Sequence, residues 1–95
     1  MFKVELFFDE SLGEVELKKL GAKIDEIFAD KGIVKTEKTL ISRNFFDCGR
    51  KSDFGRMIAA LGEIKRSRSI VSSICAGYFY DDYDKEDLMV EFFGN

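Results

Sequence analysis

The chain has no histidine, no proline and no tryptophan, and it has only two cysteines. Without imidazole there is no Ser-His-Asp or Cys-His nucleophile pair, no His-ligated zinc site, and no side chain that ordinarily titrates near neutrality to act as a general base. An enzyme built from this sequence would have to work through carboxylates, Lys, Tyr or Cys alone, and no catalytic motif of that kind is present. A non-catalytic role is the expectation, with no cofactor and no metal. The absence of proline means that no cis-proline turn shapes a site. Cys48 and Cys75 are too few and too far apart for a disulfide framework or a CxxC redox pair. Each falls in a predicted strand or strand end, where a free thiol packs as a small apolar group. No charged segment followed by an apolar run opens the chain, so no signal peptide is expected and a reducing cytoplasm is the expected location.

What is present is the composition of a folded domain. The chain has 95 residues, 45% of them hydrophobic, with ten phenylalanines. A chain of this length forms one domain, 1–95, which buries about 60 to 65% of the surface its unfolded form exposes. The core should be rich in Phe. The net charge of −3 is mild but unevenly spread. Residues 43–68 carry seven basic side chains against Asp47, Asp53 and Glu63, a net of +4, whereas residues 81–91 carry six acidic ones against Lys85, a net of −5.

Periodicity gives the elements. Phe2, Val4, Leu6 and Phe8 alternate with Lys3, Glu5 and Phe7, which predicts a strand with one buried face. Ser11-x-x-Glu14 reads as a capping box, and Leu17, Leu20, Ile24, Ile27 and Phe28 then recur at helical spacing up to Gly32, a left-handed C-terminal cap. Residues 33–37 and 39–47 are expected to pair as a hairpin, with one long bent strand as the alternative. Ser52 is placed to cap a second helix with a stripe of Phe54, Met57, Ile58, Leu61 and Ile64. The run SIVSSICAGYFY, residues 69–80, reads as a buried central strand. An acidic turn follows, and the alternation of Leu88, Val90 and Phe92 with Met89, Glu91 and Phe93 predicts a closing edge strand rather than a helical turn. The order β-α-β-β-α-β plus a short C-terminal β piece is that of an α+β, ferredoxin-like split βαβ sandwich, with two helices on one face of an antiparallel sheet. Its outer face would then display Phe7 and one set of Tyr78, Phe79 and Tyr80, and an exposed aromatic patch usually marks a partner or dimer interface.

Motifs add little chemistry. Gly49-Arg50-Lys51-Ser52 lacks the first glycine of a phosphate loop, and its lysine does not directly follow the glycine. Asp82-x-Asp84-x-Glu86-Asp87 begins like a calcium loop but has neither the central glycine nor the closing glutamate, so an EF-hand is rejected. Ala76-Gly77-Tyr78-Phe79-Tyr80 does not match the aromatic strand of RNA-recognition domains, and the acids after it would repel phosphates.

ELFFDE (Glu5 onward), FADKG (Phe28 onward), SDFGR (Ser52 onward) and the aromatic strand ending in a run of Asp resemble small uncharacterised proteins encoded on conjugative and other mobile elements of Gram-positive bacteria. The resemblance implies a bacterial, cytoplasmic accessory protein and carries over no catalytic or binding residue. The residues themselves point to an interaction module that binds another protein or a second copy. Tyr78, Tyr80 and Tyr83 would be its aromatic anchors, and Asp81, Asp82 and Asp84 its charged rim. A nucleic-acid-binding accessory, or an anion site, using Arg50, Lys51, Arg56, Lys65, Arg66 and Arg68 is the alternative. An acidic nucleic-acid mimic is a third reading.

Overall fold

The computed structural model describes residues 1–94. In β1, Lys3–Phe8, the alternation is realised: Val4, Leu6 and Phe8 are buried, while Lys3, Glu5 and Phe7 are partly exposed. Helix α1, Glu14–Asp30, buries Leu17, Ile24, Ile27 and Phe28. The expected capping box does not form. Gly13 holds the N-cap position without a side-chain bond, because Ser11 is engaged one turn earlier: Asp9 Oδ1 accepts from its N–H at 2.9 Å and from its hydroxyl at 2.7 Å. The C-terminus closes at Gly32 as expected, with φ +83°. The Gly32 N–H donates to the Ala29 carbonyl and that of Ile33 to Phe28, both at 2.9 Å, the paired bonds of a Schellman motif.

β2, Thr36–Lys38, and β3, Ser42–Phe46, form the expected hairpin, shorter than predicted and turning at residues 39–42. The Thr39 and Ser42 hydroxyls lie 2.7 Å apart and the Thr39 N–H donates to the Ser42 carbonyl at 3.1 Å, so hydroxyl bonds stabilise a turn that has no Gly or Asn. Helix α2, Asp53–Lys65, buries Met57, Leu61 and Ile64, but Phe54 remains 47% exposed. Ser52 makes no cap bond. Its neighbour Asp53 is fully buried instead and fastens the preceding loop, accepting from the N–H groups of Cys48 at 2.7 Å and Arg50 at 3.2 Å and from Arg50 Nε at 2.9 Å.

Residues 69–80 depart most from expectation. They begin as a helical turn, α3, Arg68–Val71, and only Ile74–Tyr80 is strand, β4. The serines decide this. The Ser72 and Ser73 hydroxyls both donate back to the Ser69 carbonyl, at 3.1 and 3.0 Å, and these local bonds outweigh the β preference of Ile70 and Val71. β4 is also not the middle strand, which is β1. After the 81–84 turn come β5, Lys85–Asp87, and α4, Leu88–Glu91, so the closing edge strand predicted for the end of the chain is a helical turn. Asp87 caps it, its Oδ1 accepting from the N–H groups of Met89 at 2.9 Å and Val90 at 3.4 Å.

The result is an α+β arrangement: an open five-stranded sheet, ordered β2-β3-β1-β4-β5 with every neighbouring pair antiparallel, and four helices among the described residues. All helices share one core with one sheet face. Phe28 of α1 stacks on Phe45 of β3 at 3.8 Å and 2°, Phe54 of α2 meets Phe79 of β4 edge-on at 5.7 Å, and Ile70 and Leu88 close the ends. One cation lies in this layer. Arg43 donates through Nε to Asp25 at 2.8 Å and through Nη1 to the carbonyls of Thr39 and Ser42 at 2.7 and 2.9 Å. Gly21 makes room for it, since a Cβ there would collide with the guanidinium. No helix is long and apolar enough to cross a membrane among the described residues.

Candidate functional site

The strand register fixes which side chains share the opposite, outer face, on which no helix packs among the described residues. Lys3 pairs with Phe46 on one side and Tyr80 on the other, and Tyr80 pairs with Lys85. The Phe46 N–H donates to the Lys35 carbonyl, which adds Lys35 to the line. One row across the sheet therefore reads Lys35, Phe46, Lys3, Tyr80, Lys85. Two residues along each strand, the next row reads Glu37, Asn44, Glu5, Tyr78, Asp87. The third row holds Ser42, Phe7 and Ala76.

The first two rows thus place three lysines and three carboxylates on the same three strand positions, the two edges and the centre. At about 3.4 Å per residue the rows are about 7 Å apart, and five strands at about 4.8 Å make each row about 19 Å long. The ammonium groups lie over rings: Lys3 is 4.3 Å from the Tyr80 centroid, Lys85 is 4.6 Å from Tyr78, and Lys35 is 5.8 Å from Phe46. The Tyr80 hydroxyl donates to Glu5 Oε1 at 2.9 Å. Burial, then this bond and the Glu5 charge, push the Tyr80 phenol above its ordinary value of 10.0. Among the described residues none of the six row charges forms an ion pair, although seven such pairs occur elsewhere in the molecule.

Of the residues singled out from sequence, Tyr78 and Tyr80 lie on this face, while Phe79 points into the core. The others cluster at the end of β4. Asp81 Oδ1 accepts from the N–H groups of Tyr83 and Asp84, both at 2.7 Å, and holds the turn; Asp82 meets the Met1 ammonium at 2.6 Å; Tyr83 is 97% exposed. On the helix side of the same turn, Asp81, Asp84 and Glu86 edge a shallow pocket of about 100 Å³ floored by Phe54, Ile58, Phe79, Leu88 and Phe92.

The basic residues do not gather. Arg50 and Arg56 sit at the start of α2, where Arg50 Nη2 donates to the Gly32 carbonyl at 2.7 Å and Arg56 Nη1 to the Lys31 carbonyl at 3.1 Å, closing the end of α1. Lys51 is exposed in the loop before them. Lys65, Arg66 and Arg68 stand at the far end of α2, about 18 Å away along a thirteen-residue helix, with Lys65 over the Phe92 ring at 5.2 Å. Arg43, part of the same basic stretch of sequence, is in the core. Both cysteines are exposed rather than packed. Cys75 is the extra residue where the β1–β4 register shifts, which turns it out of the inner face. No family model matches the chain, and no curated protein or solved structure matches it.

Lys3, Glu5, Lys35, Glu37, Phe46, Lys85 and Asp87 were not among the expected site residues. The six charges share a doublet, a lysine followed two residues later by an acid, in Lys3-Glu5, Lys35-Glu37 and Lys85-Asp87, but Lys23-Asp25 and Lys51-Asp53 have it too, so the sequence alone does not single them out.

Proposed function

We propose that the chain is a non-catalytic interaction domain of ferredoxin-like split βαβ arrangement that binds a protein surface, its own or another's, through the outer sheet face. For the arrangement, the support is connectivity: α1 joins β1 to β2 across β3, and the α2 segment joins β3 to β4 across β1, with β5 added at the edge. For the function, the observation that carries the reading is a helix-free sheet face bearing Phe7, Phe46, Tyr78 and Tyr80, all partly exposed. Rings among charges make good contact anchors. The edge strands, three residues each, offer little backbone for strand addition, which favours the face over the edges. Tyr83 and Asp82, exposed in the turn after β4, extend the surface as its rim, whereas Asp81 and Asp84 edge the pocket on the helix side of that turn. A bacterial accessory role rests on the resemblance in ELFFDE, FADKG and SDFGR.

A photo-reactive phenylalanine analogue placed at Tyr78, in cells making the chain, should give adducts of discrete mass, while the same group at Glu26 on the exposed side of α1 should give none. Equal labelling at both positions, or none at Tyr78, contradicts the reading. The nucleic-acid alternative has less to rest on, because its six cations divide between two ends of α2 and two of them close a helix end. It requires affinity for single- or double-stranded probes that falls steeply with salt.

A further inference from the structure

Resting on the sheet-face reading above, we infer that the partner is a second copy of this chain, stacked face to face about a two-fold axis that runs across the strands between the lysine row and the carboxylate row. Two copies of one face can meet only about an axis lying in that face. An axis along the strands would set lysine row on lysine row and acid row on acid row. An axis across the strands reverses the direction along each strand and leaves the position across the sheet unchanged, so each row lands on its opposite. Lys3 then faces the second copy's Glu5, Lys35 its Glu37 and Lys85 its Asp87, each twice per dimer. Tyr80 meets the second copy's Tyr78 in the same operation. The face is self-complementary in this orientation and self-repelling in the other.

Three observations carry the inference together. The charges occupy matched columns, at both edges and at the centre. None of them forms an ion pair within the chain among the described residues, and their hydrogen bonds, from the Tyr80 hydroxyl to Glu5 and from the Met89 and Val90 N–H groups to Asp87, leave those carboxylates charged. Each lysine ammonium stays 4.3 to 5.8 Å from a ring centroid of the same face, so the cations are held near the aromatic groups of a sheet that a second one would approach to the usual spacing of about 10 Å. Aligned sheets twist relative to one another, so the match is best at the central column, Lys3 with Glu5. A face of about 24 by 20 Å buries about 1,000 Å² over both copies, the lower end for a specific interface, and implies a dimer that dissociates on dilution.

Sedimentation equilibrium of the intact chain, from about 10 µM to about 1 mM at low salt, should show monomer passing to dimer, with affinity falling as salt rises. K3E alone and E5K alone should each weaken association by about tenfold or more, because each turns two facing pairs into repulsions. The double variant K3E/E5K should recover most of the wild-type affinity. An equimolar mixture of K3E with E5K should form a heterodimer stronger than either homodimer. Circular dichroism would verify that all variants are folded. A monomer at every concentration, or a dimer indifferent to K3E and E5K, overturns the inference. Adducts from Tyr78 to a different protein alongside a strictly monomeric chain would leave only the broader sheet-face reading standing; no adducts at all would remove both.

Discussion

The two faces of the sheet treat charge in opposite ways. On the inner face Arg43 is enclosed and meets Asp25 and two carbonyls, and at the start of the second helix Asp53 is enclosed and meets two N–H groups and a guanidinium. On the outer face six charges stand in two rows with no ionic partner among the described residues. Charges of the first kind hold the fold together, and removing one partner strands the other. Charges of the second kind, Asp87 as the cap of α4 excepted, contribute little to the isolated chain through ion pairing and are available to something outside it.

Adjacent phenylalanines give the sharpest test of that contrast. Phe45→Ala removes a ring stacked on Phe28 in the core and should destabilise by about 3 to 5 kcal/mol in denaturant unfolding, close to unfolding a domain of this size. Phe46→Ala, on the outer face, should cost about 1 kcal/mol or less. Equal costs would mean that the outer face is packed in the isolated chain. Next in size is Gly21→Ala. Helix propensity alone would favour it by about 1 kcal/mol, but the new methyl pushes the Arg43 guanidinium off Asp25, a charged hydrogen bond worth about 1.5 to 3 kcal/mol, for a net loss of about 0.5 to 2 kcal/mol. In an R43A background the same substitution should become neutral or stabilising, and a loss that persists there would show that the clash is not with Arg43.

A smaller effect is pH dependence from Asp53. Burial opposes its ionisation, but the Cys48 and Arg50 N–H bonds and the Arg50 guanidinium prevail and hold it below the ordinary 3.8. The stability it contributes is therefore fully present above 3.8 and is lost as pH falls through the lower folded value. Thermal melts between neutrality and strong acid should show Asp53→Asn starting lower and declining less than wild type; parallel curves would contradict the assignment. Smallest is the Tyr80 phenol. Glu5→Gln removes the charge at its hydroxyl, so its ultraviolet titration should move down toward 10.0 with little change in melting temperature.

Elements whose signal is local were legible in the sequence. The alternation of β1, the Gly32 cap and the α1 and α2 stripes each depend on residues within a few positions of one another. Where short-range hydrogen bonding competes with side-chain pattern, the reading failed. Serines curled residues 68–71 into a turn despite Ile70 and Val71, and Asp87 capped a helical turn where Leu88, Val90 and Phe92 alternated. The basic stretch at residues 43–68 was misleading for a third reason. Linear proximity is not spatial proximity once a thirteen-residue helix separates the ends and one arginine turns inward. Tyr78 and Tyr80 could be assigned to one strand because an aromatic run is visible within it. The rows were not, because Lys35, Lys3 and Lys85 come together only when the register across all five strands is known.

The most direct test is a dilution series of amide spectra, recorded from about 1 mM down to monomer-forming concentrations. Shifts confined to the amides of the two charged rows, greatest around Lys3, Glu5, Tyr78 and Tyr80, are what self-pairing through the outer face requires. Spectra that stay invariant over the whole range, or that move instead at the exposed sides of α1 and α2, would contradict it.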